Sequence, residues 1–275
     1  MWGFSGGSLA TSWAAALQPS YASELSDNLV GALLGGLSSN ITRVAFANDG
    51  TVRAGLIPSC IIGSGNEYPE FKKKIYEEVH RSRKFALETG EKYCMLKAVA
   101  TNLWRNFLKG TRPVFPKGPT LLQEEVIAKV IEENSLINFA DTLIPEIPIL
   151  IYHGSLDNIV PIEDPRSLYD SWCQNNIGSL EFAEDMTAGH FVEMFAGIPS
   201  AIAWIKARFQ GIKPVEGCVH NRRTSNLLYP GSIPAIFQYY KRLLVPAMIR
   251  QLELYEKASK DSQISEKTID VLIGR

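Results

Sequence analysis

The tightest constraint on the fold is an unbroken apolar run, Ile147-Pro148-Ile149-Leu150-Ile151-Tyr152, that ends at His153-Gly154. A strand apolar at every position has no face left for water. It belongs in the middle of a parallel sheet covered by helices on both sides. The sequence after it alternates accordingly. Asp164-Pro165 reads as a helix N-cap and N1 pair opening a helix to about Cys173. Ser179-Leu180-Glu181-Phe182 reads as a second, weaker strand, and Ile198 to Phe209 as an amphipathic helix with Pro199 at its start. Near the N-terminus, Ser8 to Leu17 reads as a short apolar helix stopped by Pro19.

The stretch 57–137 has a different character. Phe71, Ile75 and Val79 recur at helical spacing after Pro69, with Lys72, Lys73, Lys74, Glu77 and Glu78 between them. Tyr93, Leu96, Ala100, Leu103, Trp104 and Phe107 suggest a second helix, and Leu122, Val126, Ile127, Val130 and Ile131 a third. A Pro/Gly-rich linker, Arg112 to Pro119, separates the last two. No strand is evident. The predicted organisation is an α/β core from 1–56 and 138–213, a helical insertion at 57–137, and a C-terminal extension at 214–275 that turns helical and ends in a charged tail.

Charge excludes some function classes. The 28 Lys and Arg nearly cancel the 29 Asp and Glu, leaving −1, which gives no support for a nucleic-acid binder held by bulk charge. No apolar run approaches the roughly 18–20 residues that span a bilayer. Met1-Trp2-Gly3 lacks the basic start of a signal peptide. The cysteines, Cys60, Cys94, Cys173 and Cys218, form no C-x-x-C pair. No His, Cys or Asp cluster has metal-ligand spacing, so neither metal nor organic cofactor is expected. Asn40-Ile41-Thr42 is an N-glycosylation acceptor pattern, meaningful if the protein is secreted.

Gly3-Phe4-Ser5-Gly6-Gly7 matches the G-x-S-x-G nucleophile elbow. The spacing has a steric reason. The serine sits on a sharp strand-to-helix turn, and the residues two before and two after it face each other across the turn. Only small ones fit there, as Gly3 and Gly7 do. The following helix points its N-terminus at a developing oxyanion. A plain Gly/Ser loop is the competing reading.

A serine nucleophile needs a base, and the base an orienting acid. On this fold they follow in the order Ser, acid, His. His190, in Ala188-Gly189-His190, lies after a strand and before a helix, where the base is expected. His80 falls in a charged helix and reads as a solvated surface residue. His153 ends a strand and reads as a support for the adjoining turn. His220, beside Cys218, reads as structural. Asp157 follows the apolar strand by a few residues, at the carboxyl end of the sheet where sites form. Asp185 is its rival, and Asp164 reads as a helix cap.

Taken together, Gly3-Phe4-Ser5-Gly6-Gly7-Ser8, Tyr152-His153-Gly154, Asp157, Ile159-Val160-Pro161, Ala188-Gly189-His190 and Glu216-Gly217-Cys218 resemble the fungal secreted lipase family, which includes the lipase A-type yeast enzymes. The likeness runs in order across nearly the whole chain. It implies an α/β-hydrolase fold with a helical cap, and hydrolysis of triacylglycerol or other carboxylic esters at a lipid–water interface. It implies Ser5 as nucleophile, His190 as base and then acid, Asp157 as orienting carboxylate and the Gly6 N–H as one oxyanion donor. It further implies a Cys173–Cys218 disulfide, secretion, and an acyl-chain surface for which Trp104, Phe107, Val114 and Phe115 are candidates, with cap-core packing as the competing role.

The chain departs from the family in three ways. Cys94 lacks its family partner, and Cys60 falls outside the family's cysteine pattern. The sequence also starts four residues before Ser5, so it reads as the C-terminal portion of the fold, with the early strands, second oxyanion donor and signal peptide upstream of it. The alternative function is therefore a catalytically impaired remnant that only binds lipid.

Overall fold

A computed structural model describes residues 1–237, 240–242, 246, 249 and 250. The charged tail expected at the C-terminus lies outside the described residues. In chain order the elements are β1 (Trp2–Phe4), α1 (Gly6–Tyr21), β2 (Ala32–Gly35), α2 (Ile41–Asn48), α3 (Leu56–Glu67), α4 (Pro69–Glu78), α5 (Lys84–Lys92), α6 (Met95–Thr101), α7 (Glu125–Glu133), β3 (Ile149–Gly154), α8 (Glu163–Gln174), β4 (Ser179–Asp185), α9 (His190–Ala196), α10 (Ile198–Phe209) and β5 (Gly217–Arg223).

The five strands form one sheet in the order β1-β2-β3-β4-β5, every neighbouring pair parallel. All carboxyl ends therefore point the same way. The period-2 alternation of β3 shows why it is apolar throughout. Ile149 and Ile151 pack with Ala15 and Ala16 of α1 and with Leu168 and Trp172 of α8. Leu150 and Tyr152 face the other side, where Ala201 and Trp204 of α10 cover them. Both layers of helices are therefore needed to keep this one strand dry.

The insertion is helical, and among the described residues it contains no strand. It has its own apolar cluster, which includes Ile57, Phe71, Ile75, Leu87, Phe107, Phe115 and Ile127. A buried carboxylate ties its long loop to the end of α2. Asp49 accepts the backbone N–H groups of Phe107 (2.5 Å), Leu108 (3.1 Å) and Lys109 (2.8 Å).

Several boundaries differ from the expectation, each for a physical reason. Pro19 does not stop α1 but sits inside its last turn. Helix α8 starts at Glu163, so Asp164 is no cap; it is buried and pairs with Arg43 at 2.9 Å. The Tyr93–Phe107 pattern yields only α6, which ends at Thr101: Asn102 leaves helical geometry at φ −116° and ψ 22°, and Trp104 beyond it is left-handed at φ 59°. The core does not end at 213: β5 extends the sheet beyond that boundary.

Two bonds fasten β5. The Cys173–Cys218 disulfide joins it to α8, closing a sequence separation of 45. At the other end of the sheet, Glu184 of β4 is completely buried among cations. It accepts hydrogen bonds from Arg166 (2.6 Å), Ser155 Oγ (2.6 Å), His220 (2.8 Å) and Arg222 (3.0 Å). Burial opposes its charge, but Arg166, Ser155 and His220 outweigh burial and hold the carboxyl down to about 2. His220 is structural as expected, stacked on Phe182 at 4.6 Å between centroids.

Two outcomes follow. Cys218→Ser should lower unfolding free energy by about 2–4 kcal/mol, read from urea midpoints under non-reducing conditions. Glu184→Gln should cost about 3 kcal/mol at pH 7. A depressed folded pKa contributes stability that is complete above the unfolded value and vanishes as pH falls through the folded one. The gap between variant and parent should therefore close between roughly pH 4.5 and 2, measured by thermal melts across that window.

Candidate active site

The carboxyl ends of β1, β3 and β4 lead directly into Ser5, the Asp157 loop and His190. Ser5 lies between β1 and α1 with φ 54° and ψ −120°. A positive φ is costly for a residue with a side chain and survives only where the surroundings enforce it. Here the Ser5 N–H donates to Gly35 O of β2 at 2.8 Å, and the Ser8 and Leu9 N–H groups close on Ser5 O at 2.9 and 3.2 Å. The buried Ser8 hydroxyl also donates to Ser5 O at 2.5 Å. A Cβ on Gly3 would stand 2.0 Å from Gly7 O, the close approach the elbow pattern anticipates.

His190 is the first residue of α9 and is 6% exposed. Its Nε2 lies 2.9 Å from Ser5 Oγ. Its Nδ1 lies 2.6 Å from Asp157 Oδ2. The Phe4 ring, 5.0 Å away between centroids, packs beside the imidazole. Gly36, at φ +52°, abuts both rings: an added Cβ would meet the imidazole Cε1 at 3.0 Å and the Phe4 ring at 3.1 Å.

Asp157 is buried, and its oxygens are divided between two jobs. Oδ1 accepts the Ile159 and Val160 N–H groups at 2.9 and 2.8 Å. Oδ2 faces His190 Nδ1 and, at 3.3 Å, His153 Nε2. Burial opposes the charge, but the His190 hydrogen bond, His153 and the Val160 N–H prevail, so the carboxyl sits below its ordinary range. As a carboxylate it can only accept, which assigns the Nδ1 hydrogen to His190 as donor. Nε2 is then free to accept the serine hydroxyl hydrogen. In this arrangement the imidazole can take a proton from the hydroxyl, while the carboxylate orients the ring and offsets the charge it would gain.

His153 supports its turn, as the sequence suggests, and does more. Its Nδ1 accepts the Leu37 N–H at 3.0 Å, and its Nε2 donates to Val160 O at 3.0 Å. It bolts the loop after β2 to the loop after β3. Burial pushes its pKa down, which keeps it neutral. This role leaves no signal in the sequence, because Leu37 and Val160 contribute only backbone groups.

The rival acid is placed elsewhere. Asp185 turns into its own loop and accepts from the Thr187 and Ala188 N–H groups at 3.0 and 2.9 Å. His80 is exposed and receives the Ser82 N–H at 3.3 Å. Among the acyl-surface candidates, Phe107, Val114 and Phe115 are buried in the core of the insertion; only Trp104, 67% exposed, reaches the surface. Gly6 opens α1, so its N–H is at the helix N-terminus beside Ser5. Asn40 is half-buried, caps α2 through the Arg43 N–H at 3.0 Å and reaches Asp164 at 3.3 Å. Cys60 and Cys94 are exposed free thiols.

The surroundings of Ser5 are apolar. A recess of about 400 Å³ lies along β1, lined by Trp2, Gly3, Phe4, Tyr152, Met194 and Ile198. Leu156, Phe191, Val192 and Phe195, on the elements that carry Asp157 and His190, are each more than half exposed. Among the described residues no cluster of His, Cys, Asp or Glu is built to hold a metal ion, and no helix is long and apolar enough to cross a membrane.

Replacing Gly3 tests the elbow. Gly3→Ala should cost about 1–3 kcal/mol in urea unfolding, because the new methyl collides with backbone. Gly7→Ala is the control: nothing lies within 4 Å of its added Cβ, so stability should stay level or rise.

The chain is similar to several known proteins. A sequence model described as "Secretory lipase" matches residues 1–217. Lipase 10 of Candida albicans is 45% identical over 267 residues, covering 97% of this chain and 57% of its own length. Lipase 2 of the same organism is 46% identical over 240 residues, covering 87% of this chain and 52% of its own. Among solved structures, Candida antarctica lipase A in its closed state superposes with a TM-score of 0.70 at 25% identity, over 79% of this chain and 50% of that one. The chain thus spans about half the length of the curated relatives it matches.

Proposed function

The chain belongs to the secretory lipase family, and from that premise we propose that it carries the hydrolytic centre of a secreted lipase. The substrates are triacylglycerols or other carboxylic esters, met at a lipid–water interface. The observation that carries this reading is the pair of contacts on one imidazole, 2.9 Å to Ser5 Oγ and 2.6 Å to Asp157 Oδ2.

In the proposed reaction Ser5 Oγ attacks the ester carbonyl while His190 Nε2 takes its proton. The carbonyl oxygen becomes an oxyanion, held by the Gly6 N–H and the positive end of the α1 dipole. Collapse breaks the ester C–O bond, and His190 returns the proton to the leaving alcohol. Water then repeats the sequence on the acyl-serine and releases the fatty acid. Asp157 stays ionised throughout and stabilises the imidazolium. The chemistry is complete without a cofactor.

Substrate class is supported by the exposed apolar residues Leu156, Phe191, Val192 and Phe195 on the elements that carry Asp157 and His190. Such a surface suits an oily ester better than a charged or polymeric nucleic acid partner. Secretion is supported by the family and by the Cys173–Cys218 disulfide, a bond that persists in oxidising compartments. Asn40 is the proposed glycan acceptor.

A fluorophosphonate probe tests the centre. The folded chain should be labelled on Ser5, and Ser5→Ala should abolish the label. Asp157→Asn should lower kcat for a p-nitrophenyl ester by about 10⁴-fold, by leaving the imidazole in the wrong tautomer. A folded chain that takes up no probe and turns over no ester overturns the proposal; fatty-acid binding without turnover would then favour the lipid-binding alternative.

A further inference from the structure

His190 opens a helix of seven residues, too short to hold its own position. What fixes it is a buried polar cluster behind Ser5, His190 and Asp157. Glu193, one turn further along α9, is completely buried. Its Oε1 accepts a hydrogen bond from Asn226 Nδ2 at 2.7 Å. The same Nδ2 donates to Ala183 O of β4 at 3.0 Å. The Asn226 backbone N–H donates to Asp185 Oδ2 at 2.8 Å. Asp185 Oδ1 in turn holds the Thr187 and Ala188 N–H groups of the loop leading to His190. One asparagine therefore joins the end of β4, the loop before His190 and the helix after it. Asn226 begins a short 3-10 turn, Asn226–Leu228, and lies beyond the stretch matched by the family model.

We propose that Asn226, acting through Glu193 and Asp185, is a positioning residue that locks the His190 imidazole in line with Asp157 and Ser5. This rests on the hydrolytic reading above, but the clamp itself is a statement about His190 and can be judged without turnover. A residue that holds a base within a fraction of an ångström contributes through geometry, and a misplacement of about 1 Å costs on the order of 10²-fold in rate.

The protonation state of the clamp gives it a signature. Burial pushes the Glu193 carboxyl up; the Asn226 hydrogen bond opposes this, and the charges of Asp185 and Asp157 add to it, leaving the carboxyl at about 9. Glu193 is therefore a neutral acid at pH 7. The titratable groups facing it are Asp185 at the end of β4, Asp157 after β3, and the Tyr152 hydroxyl of β3, which burial keeps neutral through this range. Above about pH 9 a third carboxylate appears beside Asp157 and Asp185 and repels both. Glutamine has the shape of the neutral acid and cannot ionise.

The test uses the full chain and two readouts. The first is the low-field NMR resonance of the His190 Nδ1 hydrogen bonded to Asp157, recorded at pH 7. The second is kcat and KM for a p-nitrophenyl ester across pH. Asn226→Ala and Glu193→Ala should broaden or abolish the resonance with far-UV circular dichroism retained. They should lower kcat by about 10–100-fold while KM stays within about twofold. Glu193→Gln should restore both relative to Glu193→Ala and shift the alkaline fall in kcat to higher pH. If Asn226→Ala does not fold, the two Glu193 variants decide. A resonance that is sharp and unshifted in Asn226→Ala and Glu193→Ala overturns the clamp. If the resonance responds as expected but no variant, nor the parent, turns over ester, the clamp stands and the hydrolytic reading fails.

Discussion

One buried carboxylate organises the site. Asp157 offers two oxygens, and the fold supplies each with donors: backbone N–H groups of its own loop on one, two imidazoles on the other. An isolated charge in that position would be expelled or neutralised. Because it is instead surrounded by fixed donors, it remains ionised, and because it is ionised it dictates where the His190 imidazole keeps its hydrogen. His153 then holds the neighbouring loops together, and His190 is left with an acceptor aimed at Ser5. Proton placement across the site is thus decided by how one side chain is solvated.

Much of this could be read from the sequence, for steric reasons. The elbow is legible because the turn leaves no room for a side chain at Gly3, although the structure leaves space at Gly7. β3 is legible because a strand between two helix layers must be apolar at every position. His190 and Asp157 are legible from chain order and their place after strands. What escaped notice lacks local signals. β1 is three residues long and β2 is four, too brief for periodicity to show. β5, Gly217–Arg223, lies at the sheet edge and is rich in polar residues, so nothing in its composition announces a strand. It forms because Cys218 is tethered to α8 and because His220 and Arg222 reach the buried Glu184. Those are long-range contacts, as is the Arg43 pairing that removes Asp164 from its expected role as a cap.

The insertion illustrates the same limit from the other side. Its aromatic residues carry a helical spacing that two competing structures could exploit. Phe107 went to the interior of the insertion, while Trp104 lies beyond the end of α6 in a left-handed backbone conformation. The Asp49 carboxylate, by collecting three successive backbone N–H groups, gives that loop a fixed path from the sheet into the insertion.

The left-handed backbone of Ser5 has an evolutionary reading. Glycine would occupy that corner without steric penalty, so drift under selection for folding alone runs toward losing the hydroxyl. Under the proposed reaction, keeping it trades robustness for chemistry, and position 5 is where a lineage released from that demand would relax first.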